Sequence, residues 1–206
     1  MNIYDLQQTL ANRRPSMMGA QRTFAVLCPL VTMDDGQWGL LFEVRAASLR
    51  AQPKEVCFPG GQMDKGETPT QAALRETHEE LGIPSGAITV LGELDFIATA
   101  AGFLIHPVLA VVDDVSALRP SAEEVDHTFV VPLSFFAQTK PLSAVYDLVP
   151  RTHDDFPYDV LNVPNPYPFR TAPVESPVWL YTGHPIWGLT ARIVHHLLQF
   201  MKNLDE

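Results

Sequence analysis

The sequence has few cysteines and no long apolar run. Its two cysteines, Cys28 and Cys57, are too few to staple a chain of 206 residues, so we expect two reduced thiols. No apolar run approaches the length that a bilayer-spanning helix needs. Residues 1–14 predict a short amphipathic helix and lack the continuous apolar core of a signal peptide. We therefore expect a cytoplasmic protein.

Basic residues are also scarce. Lysine and arginine number 14 against 24 aspartates and glutamates, which gives a formal net charge of −10. A chain with this balance has no broad cationic surface for a nucleic-acid duplex or an anionic membrane. An anionic small molecule would need a local group of basic side chains or a bound metal ion. We expect such a small-molecule ligand, with neither nucleic acid nor membrane as partner.

The length allows one domain with a sizeable core, and we predict a single domain over residues 1–206. Segments rich in β-branched and aromatic residues predict strands at 22–31, 37–45, 87–98, 103–113, 127–133 and 177–182. Apolar residues at helical spacing predict a C-terminal helix over 186–203. Between them, residues 150–177 hold seven prolines with interleaved aromatics, which predicts an irregular but packed excursion.

The segment RETHEELG, residues 75–82, crowds three glutamates in front of a glycine. Upstream, Thr68 can cap a helix, Pro69 suits its first position, and Gln71 completes a capping box. Gly82 suits the residue just past the helix end. These signals predict a helix over about 69–81.

On that helix, Glu76, Glu79 and Glu80 fall within an arc of about 100°. Like charges at these spacings repel each other. A solvated charged face is one interpretation. The other is a hard-cation site, because magnesium prefers oxygen ligands and commonly bridges to substrate phosphates. The paired glycines Gly60 and Gly61 favour the second interpretation, since glycine permits close approach by a ligand.

Together, Gly61, Glu67 and the segment 75–83 resemble the Nudix box, with each charged and glycine position filled. The departure is Thr77, where the family usually has an aliphatic residue. Thr77 shares an arc with Leu74 and Leu81, so we expect it to affect packing rather than chemistry. The resemblance implies an α/β fold, the Nudix-type α/β/α sandwich with a mixed sheet. It also implies metal-dependent hydrolysis of a nucleoside diphosphate linked to another group.

The resemblance further implies roles for individual residues. Glu76 and Glu80 correspond to direct ligands of Mg²⁺ or Mn²⁺, beside Gly61, and Glu79 to a third ligand or the general base. Glu67 corresponds to a carboxylate that pairs with Arg75 next to the catalytic centre. Two glutamates outside the box are either further participants or surface charges, namely Glu123 and Glu124.

The stretch before the box resembles the signature of coenzyme A pyrophosphatases. It has Arg45, Ala46, Arg50 and then the run 58–61, Phe-Pro-Gly-Gly. The C-terminal IWGLTARI is similar to the end of that subfamily. Lys54 stands where the signature has glycine. The resemblance implies hydrolysis of coenzyme A or acyl-CoA to 4′-phosphopantetheine, or its acyl form, and 3′,5′-ADP.

Alternatives remain open at the sequence level. ADP-ribose, NADH or another nucleoside diphosphate derivative is the alternative substrate, and a non-catalytic nucleotide-binding regulator is the alternative class. Arg45, Arg50 and Lys54 are either phosphate-binding residues or solubilising charges on a loop. Arg45 and Arg50 favour phosphate binding, because arginine suits bidentate contact with phosphate, whereas Lys54 fits both interpretations equally. We expect Phe58, Gly60 and the aromatics of the excursion to contact other parts of the substrate. The C-terminal third offers a surface for a homodimer.

Overall fold

The computed structural model describes residues 2–13, 16–20, 22–116 and 118–202. Met1, Arg14 and Asn203 belong to the predicted terminal helices and lie outside the described residues. Within the described ranges, no helix is both long and apolar enough to cross a membrane.

Strands and helices follow the predicted order, with several additions. The strands are β1 (Arg22–Thr32), β2 (Trp38–Arg45), β3 (Val56–Cys57), β4 (Gly60–Gln62), β5 (Ile88–Glu93), β6 (Ile97–Ala98), β7 (Phe103–Val112), β8 (Val125–Pro132), β9 (Leu142–Leu148), β10 (Ala172–Tyr181) and β11 (His184–Ile186). The helices are α1 (Ile3–Ala11), α2 (Pro69–Leu81), α3 (Leu133–Gln138), α4 (Tyr158–Leu161) and α5 (Gly188–Lys202). The prediction missed β3, β4, β9 and β11, and it fused β5 with β6.

The main sheet is mixed, as predicted. Strand β1 runs parallel to β7, with Val26 opposite Pro107, and antiparallel to β2, with Leu30 opposite Leu40. The strand order is β3-β2-β1-β7-β5, and β8, β4 and β6 pair with β2, β1 and β7. This arrangement places the glycines of β4 directly beside β1, in the middle of the sheet.

Helices cover both faces of this sheet, because each face carries its own set of buried apolar side chains. On one face, Leu27 and Leu41 pack with Ala73 and Leu81 of α2. On the other, Phe42 packs in a cluster that includes Val194 and Leu197 of α5. The predicted α/β/α sandwich is confirmed.

A second sheet, in the order β11-β10-β9, contacts α5 through β10. Strands β9 and β10 flank the proline-rich excursion, which is shorter than predicted. Residues 172–177 belong to β10, although Pro173 and Pro177 lie in that strand. Strand β11 pairs only with residues 179–181 of β10, so over 172–178 the strand has β9 as its one described neighbour, and proline is tolerated where its missing N–H would face away from that neighbour. Within the excursion, the rings of Tyr167 and Phe169 pack edge to face, with centroids 4.8 Å apart.

Candidate active site

Helix α2 carries the acidic segment and runs from Pro69 to Leu81, as predicted. The capping box is formed, since Thr68 Oγ1 accepts a hydrogen bond from the Gln71 amide at 3.2 Å. In return, Gln71 Oε1 accepts one from the Thr68 amide at 2.9 Å. Gly82 ends the helix in the left-handed conformation at φ 71°. The departure at Thr77 is a packing matter, because its buried hydroxyl donates to the Ala73 carbonyl.

Arg75 links the carboxylates of this segment. Its Nε donates to Glu67 Oε1 at 2.8 Å, which confirms the predicted pair. Its Nη1 donates to Glu76 Oε1 at 2.7 Å and to Glu79 Oε2 at 3.1 Å. The positions of these residues around the helix axis did not predict the two contacts. The hydrogen bonds from Arg75 hold the pKa of Glu67 down at about 2. One guanidinium therefore fixes three carboxylates in place and keeps Glu67 ionised.

Glu80 is the most buried carboxylate of the helix, with 5% of its surface exposed. Its Oε2 accepts a hydrogen bond from the Gly60 amide at 2.7 Å. Burial raises its pKa, and the negative charge of Glu43 adds to that effect. The three glutamates therefore differ in environment, since Glu79 has a half-exposed side chain while Glu76 is largely covered.

The two glycines of β4 are required for different reasons. A Cβ on Gly61 would overlap the carboxylate of Glu76. A Cβ on Gly60 would overlap the backbone of β1 at Ala25 and Val26. The groups that lie close to these glycines are therefore parts of the protein itself. Gly61 makes room for an acidic side chain, whereas Gly60 makes room for the central strand.

Glu43 on β2 is a carboxylate that sequence reasoning missed. Only 1% of its surface is exposed, and its Oε2 has no hydrogen-bond partner among the described residues. Its Oε1 accepts a weak hydrogen bond from the thiol of Cys57 at 3.3 Å. Burial raises the pKa of Glu43, and the charge of Glu124 raises it further. A lone acidic residue inside the apolar run of β2 was the signal available in the sequence.

Comparison with known proteins assigns the family. The NUDIX domain model matches residues 21–142, which include the acidic helix and the glycine strand. The chain belongs to the Nudix family. Nudix hydrolase 3 of Caenorhabditis elegans is 31% identical over 97% of this chain and 82% of its own length. A Nudix protein of Enterobacter sp. (strain 638), named uncharacterized Nudix hydrolase NudL, is 34% identical over 86% of this chain and 81% of its own.

Solved Nudix structures are similar over a smaller part of the chain. The Nudix hydrolase RenU of M. smegmatis covers 59% of this chain and 76% of its own, at 26% identity and a TM-score of 0.49. The Ap4A hydrolase of C. elegans, solved as a binary complex, covers 54% of this chain and 80% of its own, at 25% identity and a TM-score of 0.46.

The residues of this Nudix site fit the divalent cation that the family implies. Their donor atoms are carboxylate oxygens, the ligands that Mg²⁺ and Mn²⁺ prefer. Glu43 offers a buried oxygen without a partner, and Gly61 leaves space for the Glu76 carboxylate. As placed, no group of three or more His, Cys, Asp or Glu side chains in the described ranges already forms an ion-binding cluster. Arg75 occupies one oxygen each of Glu76 and Glu79.

The basic residues of the Nudix protein lie next to this site, at the end of β2 and in the loop between β2 and β3. They are Arg45, Arg50 and Lys54. Arg45 is half-buried at the end of β2, and its positive charge acts on both Glu43 and Cys57. Its amide donates to the Glu55 carbonyl at 3.0 Å, and its carbonyl accepts from the Lys54 amide at 3.0 Å. The loop between β2 and β3 is therefore closed at its base. The side chain of Arg50 projects from that loop and is exposed.

Lys54 adopts a left-handed backbone conformation, with φ 63°. Glycine reaches this region without steric cost, whereas a residue with a Cβ is strained there. The glycine of the resembled signature is therefore explained by backbone geometry. Lysine at this position keeps the loop shape at an energetic cost and adds an exposed cation.

Three further residues singled out in the sequence lie either in the core or at the surface, namely Phe58, Glu123 and Glu124. Phe58 is buried at 3% exposure and stacks on Phe42, with ring centroids 4.8 Å apart. Its position is that of a core residue, which corrects the expectation that it lies open to a substrate. Glu123 and Glu124 are exposed, and the Glu124 carbonyl accepts a hydrogen bond from the Ala46 amide at 2.8 Å. This bond brings Glu124 to the end of β2, next to Arg45.

Both cysteines are free thiols, as expected. Burial raises the pKa of Cys28 and of Cys57 well above the ordinary thiol value, and Glu43 adds to the effect at Cys57. A thiol that is harder to ionise is a poorer nucleophile. Cys57 therefore has the properties of a packed residue beside the carboxylates.

Proposed function

We propose that this Nudix protein is a pyrophosphohydrolase acting on coenzyme A or acyl-CoA. The products would be 4′-phosphopantetheine, or its acyl form, and 3′,5′-ADP. One observation carries the proposal: strand β2 joins an acidic site at Glu43 to a basic loop that begins at Arg45. In coenzyme A, the pyrophosphate would lie at the acidic site with its metal ion, and the 3′-phosphate would contact the basic loop.

In this proposal, Glu76 and Glu80 hold Mg²⁺ or Mn²⁺ beside the Gly61 backbone, with Glu43 as an additional acidic neighbour. When bound, the divalent cation neutralises charge on the pyrophosphate and lowers the pKa of a water molecule. The amide of Gly60 orients Glu80 through its 2.7 Å hydrogen bond. Arg75 orients Glu76 and Glu79 in the same way, and Glu67 fixes Arg75.

The general base removes a proton from the attacking water, and a carboxylate within hydrogen-bond reach can do this. Glu79 is our candidate, because its side chain is the most exposed of the three on α2. Its contact with Arg75 at 3.1 Å leaves the second carboxylate oxygen available for a water molecule.

The basic loop would choose the substrate. Arg45 and Arg50 are suited to bidentate contact with phosphate oxygens, and Lys54 adds a point charge. Since the whole protein is acidic, an anionic substrate gains little from the overall field and depends on such local cations.

A substrate panel tests the proposal. Purified protein is incubated with Mg²⁺ or Mn²⁺ and equal concentrations of coenzyme A, dephospho-CoA and ADP-ribose, and the products are resolved by chromatography. We expect 3′,5′-ADP from coenzyme A and the highest kcat/KM for that substrate. Absence of 3′,5′-ADP would contradict the proposal.

The second candidate keeps the reaction and changes the substrate to ADP-ribose, NADH or a related nucleoside diphosphate derivative. It is favoured by the exposure of Arg50 and Lys54, since exposed cations select less strictly than cations in a closed pocket. Equal rates on dephospho-CoA and coenzyme A, or a faster rate on ADP-ribose, would support it.

A further inference from the structure

Strand β9 (Leu142–Leu148) is an exposed strand with one open edge. All seven of its residues are exposed, and Leu142, Val145 and Tyr146 expose 71%, 64% and 51% of their surface. On one side β9 pairs with β10, and in the described part of the chain no strand pairs with its other side. The strand contains neither proline nor lysine, the residues that commonly prevent edge-to-edge association.

The prolines of β10 determine which groups of β9 face the open edge. In the register of the two strands, Pro173 lies opposite Asp147, and Pro177 lies opposite Ser143. Proline has no N–H, so these positions fit the pairs that exchange no hydrogen bonds. In such pairs both residues direct their N–H and C=O groups away from each other. Ser143, Val145 and Asp147 therefore present their backbone groups to the open edge of β9.

We propose that this edge pairs with β9 of a second copy of the chain, antiparallel, around a two-fold axis at Val145. In this register all seven residues of one β9 find a partner in the other. The outward groups of Ser143, Val145 and Asp147 form about six N–H···O=C hydrogen bonds across the axis. Leu142 lies opposite Leu148 of the second copy, so apolar side chains that are exposed in one chain cover each other.

The charges of β9 are compatible with this self-pairing. Asp147 is the charged residue of the strand, and across the axis it meets Ser143 of the second copy, whose hydroxyl donates to Glu175 of its own chain. The two copies of Asp147 lie four residues apart along the strands, a separation of about 14 Å. Screening at physiological salt acts over about 8 Å, so their repulsion is weak.

The pairing closes at two copies. In the dimer, β9 has neighbours on both sides, and each new outer edge is formed by the part of β10 that pairs with β9, residues 172–178, and by β11, which pairs with residues 179–181 of β10. Pro173 and Pro177 leave that edge without two of its donors, so it is a poor template for a further strand. A two-fold axis that joins one surface to itself gives a dimer and not a fibre.

Sedimentation of the full chain tests the inference. Over loading concentrations from about 1 to about 200 μM, we expect a monomer–dimer equilibrium that approaches twice the chain mass of 22.9 kDa. Val145→Pro removes a central donor while leaving the donors that face β10, so it should abolish the dimer. Val145→Thr keeps the N–H and the strand preference and should retain it. Circular dichroism and thermal unfolding check that each variant is folded.

Charge at position 143 tests the register independently of proline. Ser143→Glu places a like charge opposite Asp147 of the second copy, and Ser143→Lys places an opposite charge there. With two such pairs in each dimer, the dissociation constant should rise in the first variant and fall in the second by about twofold to thirtyfold. Neither Ser143 nor Val145 belongs to the candidate active site, so turnover per chain should stay the same in all of these variants. A monomer at every concentration, or a dimer that none of these variants alters, would overturn the inference.

Discussion

The Gly60 amide donates a 2.7 Å hydrogen bond to the buried carboxylate of Glu80. This bond joins the glycine strand β4 to the acidic helix α2 at a point where the backbone of Gly60 fits against β1. The position of the carboxylate is therefore set by the central sheet as well as by its own helix. This arrangement can be tested by removing the charge of Glu80 and by placing a Cβ at the two glycines of β4.

Glu80→Gln removes a proposed metal ligand but keeps the side-chain oxygen that accepts from Gly60. We expect kcat/KM on coenzyme A to fall by about a hundredfold or more, with weaker Mn²⁺ binding in calorimetry. Circular dichroism should be unchanged. Glu93→Gln, at an exposed glutamate on β5, is the matched control. Unchanged turnover in Glu80→Gln would refute the ligand assignment and reopen the regulator alternative.

The buried carboxylates should make the cation-free protein less stable as pH rises. Burial raises the pKa of Glu43 and of Glu80 above the ordinary 4.5, and the negative charge of Glu43 adds to the effect at Glu80. The folded state therefore binds protons more tightly than the unfolded state, and the free energy of unfolding falls as pH increases above that value.

Urea unfolding in EDTA at a series of pH values measures this effect. Glu43→Gln should flatten the profile, because it removes one of the two buried charges, while Glu93→Gln should leave it unchanged. Added Mn²⁺ should stabilise the wild type more than Glu43→Gln if Glu43 belongs to the cation site. Identical pH profiles for wild type and Glu43→Gln would show that this carboxylate does not govern the pH dependence.

Alanine at the two glycines of β4 should give different defects. In Gly61→Ala the overlap is with the end of the Glu76 side chain, which can move, so the fold should persist while Mn²⁺ binding and turnover fall. In Gly60→Ala the overlap is with the backbone of β1, so the folded state itself should be destabilised. Thermal unfolding and Mn²⁺ titration separate the two outcomes. Equal losses of stability in both variants would contradict the distinction.

Lys54→Gly should stabilise the protein. The left-handed backbone at φ 63° costs a residue with a Cβ more than glycine loses in chain entropy, for a net gain of about 0.5 to 1 kcal/mol. Chemical denaturation measures the difference. Lys65→Gly, at an exposed lysine whose φ is not positive, should give no such gain. A loss of stability in Lys54→Gly would mean that the lysine side chain contributes more than its backbone costs.

Arg50→Ala should reduce kcat/KM for coenzyme A by about tenfold, since one charge-assisted contact to phosphate is removed. The rate on dephospho-CoA should change little, because that substrate lacks the 3′-phosphate. Arg151→Ala, at an exposed arginine of the excursion, is the matched control. A parallel loss on both substrates would place Arg50 at the pyrophosphate.

The helix that carries the box could be predicted residue by residue, because its limits depend on local signals. Thr68, Pro69, Gln71 and Gly82 each act through the backbone within a few positions, and all four occupy their predicted places. The network around Arg75 could be predicted only in part. Its contact with Glu67 followed from charge, whereas its reach to Glu76 and Glu79 depends on side-chain conformation.

Features that depend on distant parts of the chain were not predictable in this way. Glu43 was missed because its significance arises only when β2 and α2 come together. Strand β9 was missed because all its residues are exposed, so it lacks the alternation of buried and exposed positions that marks a strand. Strands β3 and β4, of two and three residues, are too short to show any periodicity.

Glu79 and Glu80 occupy the last turn of α2, and this location has an electrostatic consequence. The exposed carbonyls at the C-terminal end of a helix carry a partial negative charge of about half an elementary unit. The field of the helix therefore adds to the mutual repulsion of the carboxylates and favours any cation at this end. A divalent ion held there would stabilise the final turn as a lysine or arginine does in other helices. Ion binding and ordering of the helix end would then be thermodynamically linked, so each would make the other more favourable.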